Sequence, residues 1–155
     1  MSDPYRRSLA VSWEEFHRLS RDLALRLAEQ APWRMLVAVT RGGLVPAAIV
    51  ARELDLRRVD TLCIASYDDR TRGVPQVLKA AEAGDGEGVL VVDDLVDTGV
   101  TARVVRGLLP RAHFATVFAK PEGRPLVDTF VAEIGQDTWI AFPWDQHPPI
   151  VGGRR

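Results

Sequence analysis

Apolar residues in this chain recur in two alternating rhythms. Phe16, Leu19, Leu23 and Leu27 return at three- and four-residue steps behind Ser12-Trp-Glu-Glu15. That spacing predicts an amphipathic helix from 13 to about 30, capped by Ser12, with Glu15 reaching back and Pro32 stopping it. The second rhythm is the solid apolar run of a strand buried on both faces. It appears at 35–40, 59–66 and 89–93, and again at 113–119 and 128–134. Helices are expected between these runs: 47–54, entered through Pro46, and 101–109, stopped by Pro110. Residues 76–79 read as a short strand, 84–88 as a glycine-rich turn, and 151–155 as a frayed tail. Residues 67–76 carry Asp, Arg, Thr, Gly and Pro with little apolar content, the composition of a mobile surface loop. Strands alternating with helices predict a parallel α/β sheet.

Length and composition narrow the possibilities. The 155 residues suit a single domain, 1–155, with one core. Twenty basic residues face 21 acidic ones, for a net charge of −1, so no global field draws the chain to nucleic acid or to a membrane. No apolar run approaches the ~20 residues of a membrane span, and the first ten residues have no signal-peptide core. The lone Cys63 lies in an apolar run, reads as a core residue and points to a reducing cytoplasm. His17, His113 and His147 show no metal-ligand spacing, and read as helix surface, strand start and loop.

The chemistry concentrates at 89–101. The run Val89-Leu-Val-Val92 ends in two carboxylates, Asp93 and Asp94, followed by the turn Asp97-Thr98-Gly99, with Thr101 in the position of a helix cap. The N–H groups of residues 98–101, backed by a helix dipole, suit a phosphate dianion. The acidic pair suits two vicinal sugar hydroxyls or a Mg²⁺. A ribose 5-phosphate presents both chemistries. Arg41-Gly42-Gly43, Asp93-Asp94 and Lys120 all fall at strand carboxyl ends, where such sheets bind ligands.

Residues 91–101 resemble the phosphoribosyl pyrophosphate (PRPP) motif of the type I phosphoribosyltransferases. Segments 38–46, 59–68, 118–128 and 136–140 are similar to the bacterial xanthine-guanine members of that family, and the likeness runs from about 10 to 150. The resemblance implies a central parallel sheet flanked by helices, a small hood and a flexible loop. It implies a purine-salvage enzyme that transfers the 5-phosphoribosyl group from PRPP to N9 of guanine or xanthine, with hypoxanthine a further candidate. The products would be GMP, XMP or IMP and pyrophosphate, with Mg²⁺ as cofactor. A PRPP- or nucleotide-sensing regulator of the same fold, or a transferase for another base, are the alternatives. The balanced charge and the lack of room for a second domain argue against the regulator.

Residue by residue, the resemblance places the PRPP site on Arg41, Gly42, Arg72, Asp93, Asp94 and the turn Leu95, Val96, Asp97, Thr98, Gly99, Val100 and Thr101. The loop at Arg41-Gly42 would bind pyrophosphate through backbone amides, often with a strained peptide bond. The family's loop arginine aligns with Gly73; Arg72 is taken in its place, with Arg70 nearby. Asp93 and Asp94 would bind the ribose hydroxyls, with Asp94 also on the metal side. Asp97, facing N7, is the general-base candidate. Lys120 would donate to O6, Trp139 would stack on the purine, the Ile140 backbone would read the 2-position, and Asp145 would approach a second Mg²⁺. The likeness also implies a homotetramer in the cytoplasm, some relatives being peripheral at the inner membrane.

Overall fold

The computed structural model describes residues 5–65 and 74–152. Its frame is a six-stranded sheet built from β2 (Met35–Thr40), β3 (Val59–Ala65), β4 (Gln76–Lys79), β5 (Val89–Val96), β6 (His113–Ala119) and β7 (Thr129–Glu133), in the order β4-β3-β2-β5-β6-β7. All neighbours pair in parallel except β4, which runs antiparallel at one edge. The apolar runs form the central strands because both of their faces are covered. Leu36, Ala38, Leu90, Val92, Ala115 and Val117 face helices α1 (Trp13–Ala28) and α2 (Leu44–Glu53). Met35, Val37, Val89, Val91 and Phe114 pack on the opposite side with α3 (Val100–Leu108). Alternate residues of one strand thus feed two separate apolar layers.

The chain leaves β2 toward β3 in one direction and leaves β5 toward β6 in the other. β2 and β5 are neighbours, so the strand order reverses between them, and the loops leaving their carboxyl ends open a crevice. Arg41-Gly42-Gly43 and Asp97-Thr98-Gly99 occupy those two loops.

Several expectations shift. α1 has its Ser12 cap, which accepts from the Glu15 N–H at 3.1 Å, but the Glu15 carboxylate turns away to Arg18 at 2.6 Å. α2 starts at Leu44, so Pro46 sits inside its first turn, where no N–H is needed. β5 runs on to Val96, because Leu95 and Val96 still pair with Phe118 and Ala119; the acidic pair lies inside the strand. The cap of α3 is Gly99, at φ 90°, not Thr101, which is the second helical residue. A second sheet was not foreseen. β1 (Arg7–Ala10) pairs in parallel with β8 (Thr138–Ala141), matching Arg7 with Thr138 through Ala10 with Ala141. This two-stranded sheet forms the hood. Arg70, Arg72 and Gly73, and most of the expected loop, lie outside the described residues. No helix among the described residues is long and apolar enough to cross a membrane.

Candidate active site

One side of the crevice, where β5 turns into α3, is built from backbone. Gly99 takes a left-handed conformation that L side chains rarely adopt, and a Cβ there would meet the Leu126 side chain at 2.5 Å. The glycine turns the chain abruptly from β5 into α3, whose first helical bond is Arg103 N–H to Gly99 O at 2.9 Å. The N–H groups of Val100, Thr101 and Ala102 precede that bond and have no intrahelical acceptor. Such donors, at the positive end of a helix dipole, suit an anion. Leu95 and Val96 contribute backbone only, since Val96 is buried and Leu95 packs on the core.

Across the crevice, the Thr40–Arg41 peptide bond is cis, at the loop for which the resemblance implied an unusual peptide. A Cβ on Gly42 would collide with the Asp94 carboxyl group, so only glycine lets that carboxylate lie against the loop backbone. The Arg41 side chain is exposed.

The acidic pair is asymmetric. Asp93 is buried, and its register partner on β6 is Thr116. Its carboxylate accepts the Asp94 N–H at 2.8 Å. Burial first, then the charge of Asp94, pushes Asp93 well above the ordinary carboxylate range. Asp94 is half-exposed and faces the Gly42 loop. Burial also raises its pKa; hydrogen bonds from Asp93 and from backbone N–H groups oppose that, and the Asp145 charge adds to it. Asp145 sits at the end of a short 3-10 turn, Pro143–Asp145, close enough for Asp94 to feel its charge.

The far side is built from side chains that start far apart in the chain. Lys120, at the end of β6, is buried with 1% exposure, unusual for a lysine and tolerable only with a partner. Its Nζ donates to Asp97 Oδ2 at 3.1 Å. The other Asp97 oxygen, Oδ1, accepts from Gln136 Nε2 at 2.7 Å. The Tyr5 ring lies 5.0 Å from the Lys120 ammonium and meets the Trp139 ring edge-on at 5.1 Å. Trp139 is 50% exposed, so it is no core residue, while its strand neighbour Ile140 is buried. β8 carries both. Tyr5, Arg6, Arg7, Ser8 and Trp139 line an open cleft of about 450 Å³ beside this cluster.

The expected residues therefore converge: Gly42, Asp94 and residues 97–101 around one crevice, with Asp97, Lys120 and Trp139 at its far side. Two participants were missed. Tyr5 precedes a strand that no periodicity announces. Gln136 is an uncharged residue in a turn, and its only signal was membership of the segment 136–140.

A model of the phosphoribosyl transferase domain matches residues 12–149, and the chain belongs to that family. It is 56% identical, over 157 residues and 98% of each chain, to a xanthine-guanine phosphoribosyltransferase from Desulfotalea psychrophila. Among solved structures, a purine phosphoribosyltransferase from Pyrococcus horikoshii superposes with a TM-score of 0.78 at 27% identity, covering 92% of this chain and 97% of that one. A xanthine-guanine-hypoxanthine phosphoribosyltransferase from Helicobacter pylori follows with a TM-score of 0.73 and 26% identity, covering 90% of this chain and 95% of that one.

Proposed function

We propose that this protein is a purine-salvage phosphoribosyltransferase, which joins the 5-phosphoribosyl group of PRPP to N9 of guanine or xanthine and also accepts hypoxanthine. The observation that carries the reading is the Lys120–Asp97 pair at 3.1 Å, set beside exposed Trp139 and one turn from the helix amides of α3. A purine stacked on Trp139 would offer O6 to Lys120 and its N7 edge to Asp97. The ribose phosphate would rest on the amides of residues 98–101.

The reaction breaks the bond from ribose C1 to a pyrophosphate oxygen and forms the bond from C1 to N9. The purine proton leaves from its N7 side to Asp97, whose oxygens keep free lone pairs beyond the two bonds they accept. Asp94, with Asp93 behind it, accepts from the ribose hydroxyls. Arg41 and Gly42 meet the pyrophosphate, and Arg72 is assigned to it from the sequence. Stacking and the hood exclude water from the cationic sugar carbon. Ile140 reads the 2-position through its backbone.

The donor set fits Mg²⁺. Burial chiefly, and the nearby Asp145 charge in small part, raise Asp94, and a cation between the two carboxylates would offset both. Mg²⁺ typically takes one or two protein carboxylates and completes its shell with phosphate oxygens and water. When bound, it would neutralise charge on the departing pyrophosphate. One domain spanning 1–155, a homotetramer and a cytoplasmic location, with some peripheral association at the inner membrane, complete the reading by family likeness.

The test is direct. Purified protein is incubated with PRPP and Mg²⁺ and with guanine, xanthine or hypoxanthine separately, and nucleotide formation is followed. Turnover of at least one 6-oxopurine, absent without Mg²⁺, is the expected result; no nucleotide from any of them defeats the proposal.

A further inference from the structure

Asp97 is held by two donors, and only one of them belongs to the assigned chemistry. Gln136 lies on the connection between β7 and β8, 39 positions along the chain from Asp97. Its amide is used at both ends. Oε1 accepts the Glu122 N–H at 3.1 Å, and Nε2 donates to Asp97 Oδ1 at 2.7 Å. The first bond fixes the second: with a backbone N–H at one end, the side-chain NH₂ must face the carboxylate. The Glu122 N–H comes from the turn that directly follows Lys120, closed by Gly123 N–H to Lys120 O at 3.1 Å. Asp97, Lys120, that turn and Gln136 therefore make a closed ring of hydrogen bonds. Each of three separate chain segments enters it once.

We propose that Gln136 is a positioning residue for the reaction: it orients the Asp97 carboxylate so that one lone pair faces the purine. The inference rests on Asp97 being the proton acceptor. A carboxylate held by Lys120 alone keeps a rotation about its χ2 axis, because one donor at one oxygen fixes a point and not a plane. The second donor removes that freedom. Gln136 also ties the orientation of the base to the hood, since β8 begins at Thr138, two residues further on.

The experiment compares Gln136→Met, Gln136→Glu and Asp97→Asn with the parent protein, using guanine and 8-azaguanine as acceptors. The ring of 8-azaguanine gives up its proton more readily and depends less on a well-placed base. Gln136→Met should lower kcat with guanine roughly tenfold, the usual scale for losing one hydrogen bond to a charged group. KM for PRPP should stay within about twofold, and the loss should shrink with 8-azaguanine. Gln136→Glu keeps the shape but sets a carboxylate against a carboxylate, so its kcat should fall further. An equal loss with both bases, a loss expressed mainly in KM for PRPP, or unchanged kcat in both Gln136 variants would overturn the role. Asp97→Asn separates the two ideas. If it is crippled while the Gln136 variants are not, the inference about Gln136 alone falls. If it keeps parental kcat, Asp97 is not the base and both fall together.

Discussion

The amino edge of the main sheet and the acidic pair at its carboxyl edge treat their carboxylates in opposite ways. At the amino edge Asp60, Asp85, Glu87 and Asp128 each have a cationic partner. Asp60 accepts from Lys79 Nζ at 2.8 Å, Asp128 from Arg106 at 2.8 Å, and Asp85 and Glu87 share Arg111 at 3.3 and 2.7 Å. The Lys79 bond and two backbone N–H groups lower Asp60 to about 2. At the carboxyl edge Asp93 and Asp94 are adjacent, Asp145 is close enough for its charge to reach Asp94, and burial pushes the pair upward. One edge uses charge to hold the chain together. The acidic pair instead carries unfavourable burial and repulsion. The difference teaches where binding free energy would be stored under the proposed function: in repulsion and desolvation borne by the free protein, to be released when a cation and hydroxyls bind.

The comparison is sharpened most by substrate choice. Lys120 is a donor only, so a 6-oxo group satisfies it while the amino group of adenine does not. Because the Lys120 side chain is buried, a mispaired donor there is costly, and kcat/KM for adenine should lie at least about 10³ below guanine, read from initial rates of nucleotide formation. Efficient AMP formation would break the assignment of the base side. Next comes Asp97→Asn, which should lower kcat with guanine by roughly 10²-fold while PRPP affinity changes little. Single-turnover rates and PRPP titration check the two halves of that statement.

The third effect is on stability and has the sign the edges predict. The folded-state pKa of Asp94 lies above its ordinary 3.8, so the native state holds the proton more tightly than the unfolded chain. Stability is therefore lost as pH rises from 3.8 toward the raised value, and the neutral-pH protein bears that cost. Asp94→Asn should raise stability at pH 7 by about 1–2 kcal/mol in urea melts while activity falls. The gain should fade below pH 3.8. A destabilised variant would show that the pair is structural. Asp60→Asn is the mirror image and the smallest effect. Its depressed pKa contributes stability that is present above 3.8 and lost as pH falls through about 2. The variant should lose about 1 kcal/mol at pH 7, the scale of an exposed pair, and match the parent near pH 2.

The two sides of the site were not equally legible in the sequence. The phosphate side lies in one continuous stretch, 91–101, where strand, acids, glycine and helix follow in order, so a local pattern suffices. Even there the reach of β5 was misjudged. Charged residues suggest a strand end, yet ladder bonds to Phe118 and Ala119 carry the strand on to Val96. Thr101 resembled a cap by side-chain type, but the sharp turn demanded a positive φ, which Gly99 supplies. The base side is assembled from residues 5, 97, 120, 136 and 139, and no window contains it. Lys120 was legible as a residue at a strand's carboxyl end, but its place beside a purine, like that of Trp139, came only through family likeness. Gln136 has neither charge nor periodicity, and its role exists only once two loops meet. The hood was hidden for a related reason: all four residues of β1 are exposed, so no apolar rhythm marks it, and only pairing with β8 makes it a strand.

That hood joins residues 7–10 to residues 138–141, and so makes the site depend on the order in which the chain is synthesised. The six strands of the main sheet are all present once residue 133 has emerged, and the phosphate turn is complete long before. β1 leaves the ribosome first, yet has no ladder partner until β8 follows it some 130 residues later. Trp139 then arrives on the strand that β1 has been waiting for. In a nascent chain the turn into α3 is thus in place well before the Trp139 side of the crevice can be assembled.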